Sequence, residues 1–199
     1  MAEHSRYSVS GLESEGVLKN KLNIKDQKTL EDVETILFSD AYKYFFELLE
    51  KGKITFNINF IIQIHSYSLK TLYSWAGKAR TVEISKNGIL FCASLQIKKN
   101  LLAFEKILKE NIPSKSDDAK SVSKKLSVIH CEFNAIHPFR EGKGRTIRLF
   151  LDLLAASMGF NPIDFSKSSQ EAYIKGCIAG MSKDYSKMQK IIQKGLSKS

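Results

Sequence analysis

Apolar residues recur three and four apart along most of this 199-residue chain, the spacing of amphipathic helices. Residues 29–50 carry Val33, Ile36/Leu37, Ala41, Tyr44/Phe45 and Leu48 in that register, and Gly52 follows as a stop. Asn57 or Asn59 can cap a second helix through Ile61, Ile64, His65, Leu69 and Leu72. The rhythm breaks over 80–92, where Val82 and Ile84 alternate with polar neighbours, Asn87-Gly88 follows, and Ile89-Leu90-Phe91 returns. Asn-Gly accepts the positive φ angles of a type I′ turn, so this stretch predicts a β-hairpin. Helical spacing resumes over 94–110 through Leu95, Leu101/Leu102, Phe104 and Leu108. After a polar connector, Ser116 or Asp117 can start a helix carrying Val122, Leu126, Ile129 and Phe133. Pro138 disfavours helix at His137, so the chain turns there. Ile147, Phe150/Leu151 and Leu154 then run as a strongly apolar helix to Gly159, and two more helical stretches cover 168–180 and 183–196. The pattern predicts a mostly α fold with one hairpin.

Composition narrows the class. With 43% hydrophobic and 26% charged residues, the chain can bury a real core and is not of disordered type. Cys92, Cys131 and Cys177 are too few and scattered for a disulfide scaffold, which points to a reducing, cytoplasmic setting. No apolar run reaches a bilayer span, because Arg148 and Asp152 interrupt even the richest stretch, and the first residues lack a secretory-signal layout. The formal net charge is +10, unevenly distributed. Residues 26–50 are acidic, whereas 137–148 and the tail from Lys167 are basic. Lys183, Lys187, Lys190 and Lys194 share one helical face, opposite Tyr185, Met188 and Ile192, which reads first as a solvated face. Without aromatic interleaving or a DNA-binding motif, nucleic acid ranks last as a partner.

The chemistry concentrates in His137-Pro-Phe-Arg-Glu-Gly-Lys-Gly-Arg-Thr-Ile-Arg148. A glycine-bearing loop here opens directly onto a helix start, whose unpaired N–H groups and positive dipole end favour anions. Arg145 and Arg148 are three apart and share a face, and two guanidiniums suit phosphate oxygens. Glu141 can hold a hard cation such as Mg2+, and His137 can take a proton near neutral pH. Together these groups describe a phosphate-transfer site. A Walker P-loop is excluded, since Gly142-Lys143 is followed by Gly144 rather than Ser or Thr.

This segment resembles the Fic (filamentation induced by cAMP) motif, HxFx(D/E)GN(G/K)RxxR. KNKLNIKD near the start, YSWAGKARTVEISKNG around the hairpin and the helix before His137 are also similar to Fic stretches. The resemblance covers roughly residues 17–195 and implies a Fic-type helical bundle spanning 17–199, with residues 1–16 as an N-terminal arm. It implies transfer of AMP from ATP, with Mg2+, to a Ser, Thr or Tyr hydroxyl of a target protein. His137 would be the base, Phe139 a buried anchor and Glu141 the metal carboxylate. Gly142 and Gly144 would form the anion hole, and Arg145 and Arg148 would grip the β- and γ-phosphates. The hairpin would be the family's flap, docking an extended target segment along Val82, Glu83, Ile84 and Ser85. Lys86 and Gly88 at its tip and Tyr173 would touch the nucleotide.

Two departures matter. Lys143 stands where the motif has Asn, so a short neutral donor gives way to a longer charged one, which as a nucleotide-binding residue either supplies charge to the phosphates or obstructs the ATP pose, implying attenuated or altered chemistry. This leaves a catalytically weak, nucleotide-binding regulatory protein as the alternative. The family's inhibitory pattern, (S/T)xxxE(G/N), does not occur, and Glu15-Gly16 lacks the hydroxyl residue four positions earlier. Any inhibitor is therefore expected to be a separate small antitoxin-like chain. His65, His130 and Cys131 read as buried structural residues, and Tyr73 and Trp75 as packing residues.

Overall fold

A computed structural model describes residues 13–14, 17–86 and 89–198. Near the start, β1 (Glu13–Ser14) pairs antiparallel with β2 (Val17–Leu18). Asp26 opens α1 (Gln27–Glu50) by accepting the Thr29 amide, and Leu30, Glu34, Phe38, Ala41 and Phe45 form its buried face. Asn57, rather than Asn59, caps α2 (Ile58–Leu69). This helix stops before the expected Leu72, because the Leu72 and Tyr73 amides both turn back onto the Leu69 carbonyl.

The hairpin is shorter than its alternation predicts. Regular pairing is confined to β3 (Ser85–Lys86) and β4 (Ile89–Leu90), extended by the Phe91 amide donating to Ile84 O at 3.2 Å. Val82 and Glu83 stay outside the ladder, and each is engaged elsewhere. The Val82 carbonyl accepts from Arg80, and the Glu83 carboxylate accepts from the Ser94 amide and hydroxyl. The Asn87-Gly88 turn lies outside the described residues.

A short 3-10 turn (Ser94–Gln96) leads into α3 (Ile97–Asn111). Here the apolar reading is corrected. Ile97, Phe104 and Leu108 are buried, whereas Leu95 is 93% exposed and Leu102 is also in solvent. Leu95 precedes the helix proper, and Leu102 lies about 100° around it from Leu101. Asp118 caps α4 (Ala119–Ile136), and α5 covers Lys143–Ser157. Ser169 caps α6 (Gln170–Met181), and α7 spans Ser186–Gly195.

The burial follows from this order. α4 packs against α3, α5, α6 and α7, while α5 also meets α1 and α2. The main core therefore gathers around Leu126, Ile129, Phe133, Phe150 and Leu154, with Met188 and Ile192 from α7. Gly180 of α6 lies so close to Cys131 of α4 that an added Cβ would collide with the thiol sulfur. A second cluster joins Val17, Leu18, Leu30, Phe38, Leu69, Leu72 and Tyr73. Lys187, Lys190 and Lys194 are exposed on α7, but Lys183 precedes that helix. Among the described residues, no helix is long and apolar enough to cross a membrane.

Candidate active site

The loop between α4 and α5 carries the motif. His137 ends α4 in the left-handed region (φ 50°, ψ 59°), its amide still bonded to Phe133 O at 3.1 Å. That conformation is uncommon outside glycine and marks the residue as held in place by its surroundings. The imidazole is only 1% exposed, and the Phe91 ring from the hairpin lies over it, 3.9 Å between centroids. Phe139 is buried as expected, stacked on His65 at 3.8 Å.

His65 does more than fill the core. Its Nδ1 accepts the Gly77 amide at 2.8 Å, which leaves Nε2 to donate to Glu141 O at 2.9 Å. Burial pushes its pKa down to about 4, so it acts as a neutral strut under the loop. Gly142 takes φ 75°, and a Cβ there would fall 2.5 Å from Leu69 Cδ1, so only glycine fits this turn. Gly144 lies inside α5, where a Cβ would meet nothing within 4 Å. Its value is open access to the helix start rather than an unusual backbone.

Side chains cap α1, α2, α4 and α6, whereas α3, α5 and α7 begin without one, and of these α5 alone starts from the motif loop. Its first amides therefore form the anion-accepting end that the sequence predicts. Glu141 Oε1 accepts the Gly142 amide at 2.7 Å, and its side chain is 18% exposed. Among the described residues, no three His, Cys, Asp or Glu side chains gather as a metal cage. A single half-engaged carboxylate fits a hard cation completed by phosphate oxygens and water.

The two arginines differ. Arg145 Nη2 donates to Glu34 Oε2 at 2.6 Å and reaches Glu141 Oε1 at 3.5 Å, with its guanidinium 4.7 Å from the Phe38 ring centroid. Glu34 is 1% exposed and also accepts the Tyr73 hydroxyl. Arg148 has no carboxylate partner among the described residues. It is held between the Phe165 and Tyr173 rings, 5.0 and 4.6 Å away, with Nε buried and unbonded. The Tyr173 hydroxyl in turn bonds His130 Nε2 at 2.8 Å. Tyr173 is thus first a wall for Arg148. Lys143 is buried and donates to Asn134 Oδ1 of α4, so its ammonium is engaged beneath the helix start.

Of the predicted flap residues, Ile84 is buried, Glu83 is bonded to Ser94, and Val82 and Ser85 are partly exposed. Gly88 and the Lys86 side chain lie outside the described residues. Sequence reasoning missed Glu34, His65 as a strut, and Arg80. A carboxylate in the apolar register of Leu30, Phe38 and Ala41 was the available signal for Glu34.

The Fic/DOC family model matches residues 55–155, the span from α2 through α5 that holds the hairpin and the loop. The chain is 33% identical to protein adenylyltransferase VbhT of Bartonella schoenbuchensis over 92% of its own length, but spans only 37% of that protein. It is 31% identical to the probable protein adenylyltransferase y4lH of Sinorhizobium fredii, covering 84% of this chain and 85% of y4lH. The chain belongs to the Fic/DOC family. Solved Fic domains share its fold. The Bep effector Fic domain of Bartonella quintana with bound ADP superposes with a TM-score of 0.76, at 21% identity and 92% coverage of each chain. BepC of Bartonella tribocorum with bound AMPPNP gives 0.76, at 23% identity over 92% of this chain and 93% of BepC. The helical bundle and hairpin expected of a Fic chain are therefore present, and the motif sits at the join between the two buried helices of that bundle, α4 and α5.

Proposed function

We propose that this Fic chain transfers AMP from ATP to a Ser, Thr or Tyr hydroxyl of a target protein. The observation that carries the reading is the uncapped start of α5, entered straight from the His137–Gly142 loop and flanked by Arg148. The adenylyltransferase relatives named above support it. In this mechanism His137 removes the hydroxyl proton, and the freed oxygen attacks the α-phosphorus. The bond from that phosphorus to the bridging oxygen breaks, and pyrophosphate leaves. The first amides of α5 bind phosphate oxygens, and Arg148 balances charge on the leaving group. Glu141 would hold Mg2+, which would supply neutralisation of the charge on the leaving pyrophosphate. Because Phe91 covers the imidazole, the target side chain has to displace that ring to reach it.

Labelled ATP mixed with cell lysate is expected to mark discrete proteins, and His137→Ala to abolish the marking. Marking that persists in His137→Ala would remove the assigned base. The same reading puts the reaction in the cytoplasm and regulation in a separate small inhibitor chain, which pull-down of neighbouring small proteins tests.

The engagement of Lys143 with Asn134 favours a second reading, an attenuated enzyme serving mainly as a nucleotide-binding regulator. The anion hole then relies on backbone donors, and one missing oriented side-chain donor can cost about 100- to 1,000-fold in rate. Lys143→Asn is expected to raise transfer strongly under this reading. Equal rates in the two proteins would reject it.

A further inference from the structure

Arg80 stands outside the motif, in the segment that leads into the hairpin. Its side chain is 0% exposed. Nε donates to His137 O at 2.8 Å, Nη1 to Val82 O at 2.6 Å and Nη2 to Cys92 O. Its own amide donates to Pro138 O at 2.8 Å. Val82 and Cys92 flank the hairpin on opposite sides, and His137 and Pro138 open the catalytic loop. One planar guanidinium therefore bonds both ends of the hairpin and the backbone of the candidate base.

A buried cation is costly unless its hydrogens are well accepted. Here the acceptors are chiefly carbonyls, since the Glu83 carboxylate lies 3.8 Å away, is 53% exposed and already serves Ser94. The guanidinium fork has fixed donor directions, so segments bonded to different nitrogens are fixed relative to each other. Phe91, the neighbour of Cys92, carries this to the ring that covers His137.

We propose that Arg80 is a positioning residue that locks the base of the hairpin to the His137 backbone. The strand edge offered to a target and the imidazole that receives its proton then keep one fixed spacing. This rests on the adenylyl-transfer reading above, in which both parts act on the same target side chain. A reacting pair displaced by about 1 Å loses on the order of 100-fold in rate, which is the scale on which such a latch acts.

The test is hydrogen exchange on the full chain, a readout independent of catalysis. In the unmodified protein the Arg80, Phe91 and His137 amides are expected to open together, with one denaturant dependence. Arg80→Lys keeps the charge but not the fork. It is expected to speed exchange at both the hairpin base and the loop by at least about tenfold, leaving α7 unchanged. Acceleration at only one of the two sites, or equally throughout the chain, would overturn the proposal. If the variant does not fold, separate openings of Phe91 and His137 in the unmodified protein would overturn it equally. In transfer assays kcat should fall at least about tenfold while the KM for ATP stays within about twofold. A loss confined to ATP affinity would contradict the latch. An unmodified chain that transfers no AMP defeats the adenylyl-transfer reading instead, and the exchange result still decides whether Arg80 couples the two segments.

Discussion

Arg145 and Arg148 sit one turn apart and look equivalent in the sequence, yet their neighbours give them different work. Arg145 is largely neutralised by buried Glu34, with Glu141 close by, whereas Arg148 rests against the Phe165 and Tyr173 rings with no close carboxylate among the described residues. Under the proposed reaction Arg148 would be the better anion grip, and Arg145 the better organiser of Glu141. Glu34→Gln keeps an acceptor for Tyr73 but removes the charge facing Arg145. It is expected to lower unfolding stability by about 1–3 kcal/mol, read from the urea midpoint. Asp32→Asn, at an exposed position of the same helix, should stay within about 0.5 kcal/mol. The motif itself was legible because every member of it lies within twelve consecutive residues. Glu34 and Arg80 were not, because their partners are 111 and 57 residues away. Spacing rules see only near neighbours.

At the scale of elements, α5 carries a buried carboxylate as well as the arginines. Asp152 accepts the Tyr42 hydroxyl of α1 at 2.6 Å and the Ile163 amide at 2.8 Å, joining three segments. Burial raises its pKa from the ordinary 3.8 to about 6. The folded state therefore binds this proton first, and the contribution to stability grows as pH falls from about 6 towards 4. His65 and His130 act in the opposite sense. Burial pushes them from 6.5 down to about 4 and about 3, so stability is lost as pH drops below 6.5. Asp152→Asn removes the opposing contribution. Denaturant midpoints followed from pH 6 to pH 4 should then fall more steeply, by up to about 1.4 kcal/mol per pH unit. The helices were read with nearly correct limits because caps and glycine stops are local chemistry. The hairpin was read too long because side-chain alternation does not reveal that the Val82 carbonyl is taken by the Arg80 guanidinium, a bond made only once Arg80 is buried.

At the scale of the whole molecule, the surplus of positive charge divides between two places with different uses. The basic loop and α5 form the candidate site, and Lys187, Lys190 and Lys194 form an exposed face on α7. The Fic fold explains the first division, since the motif must lie at the meeting of α4 and α5. The packing of those central helices also supplies a clock. Cys131 is 0% exposed, pressed against Gly180, and burial raises its thiol pKa to about 12. Cys92 and Cys177 are partly exposed. A thiol reagent should therefore modify Cys92 first, Cys177 more slowly because burial raises its thiol pKa, and Cys131 only during separation of α4 from α6. Its labelling rate, followed by mass spectrometry, should match the global unfolding rate, and any ligand that tightens the bundle should slow it in proportion to its occupancy. A bare sulfur atom in the core thus becomes a label-free-until-opened reporter of binding, usable before any target protein is known.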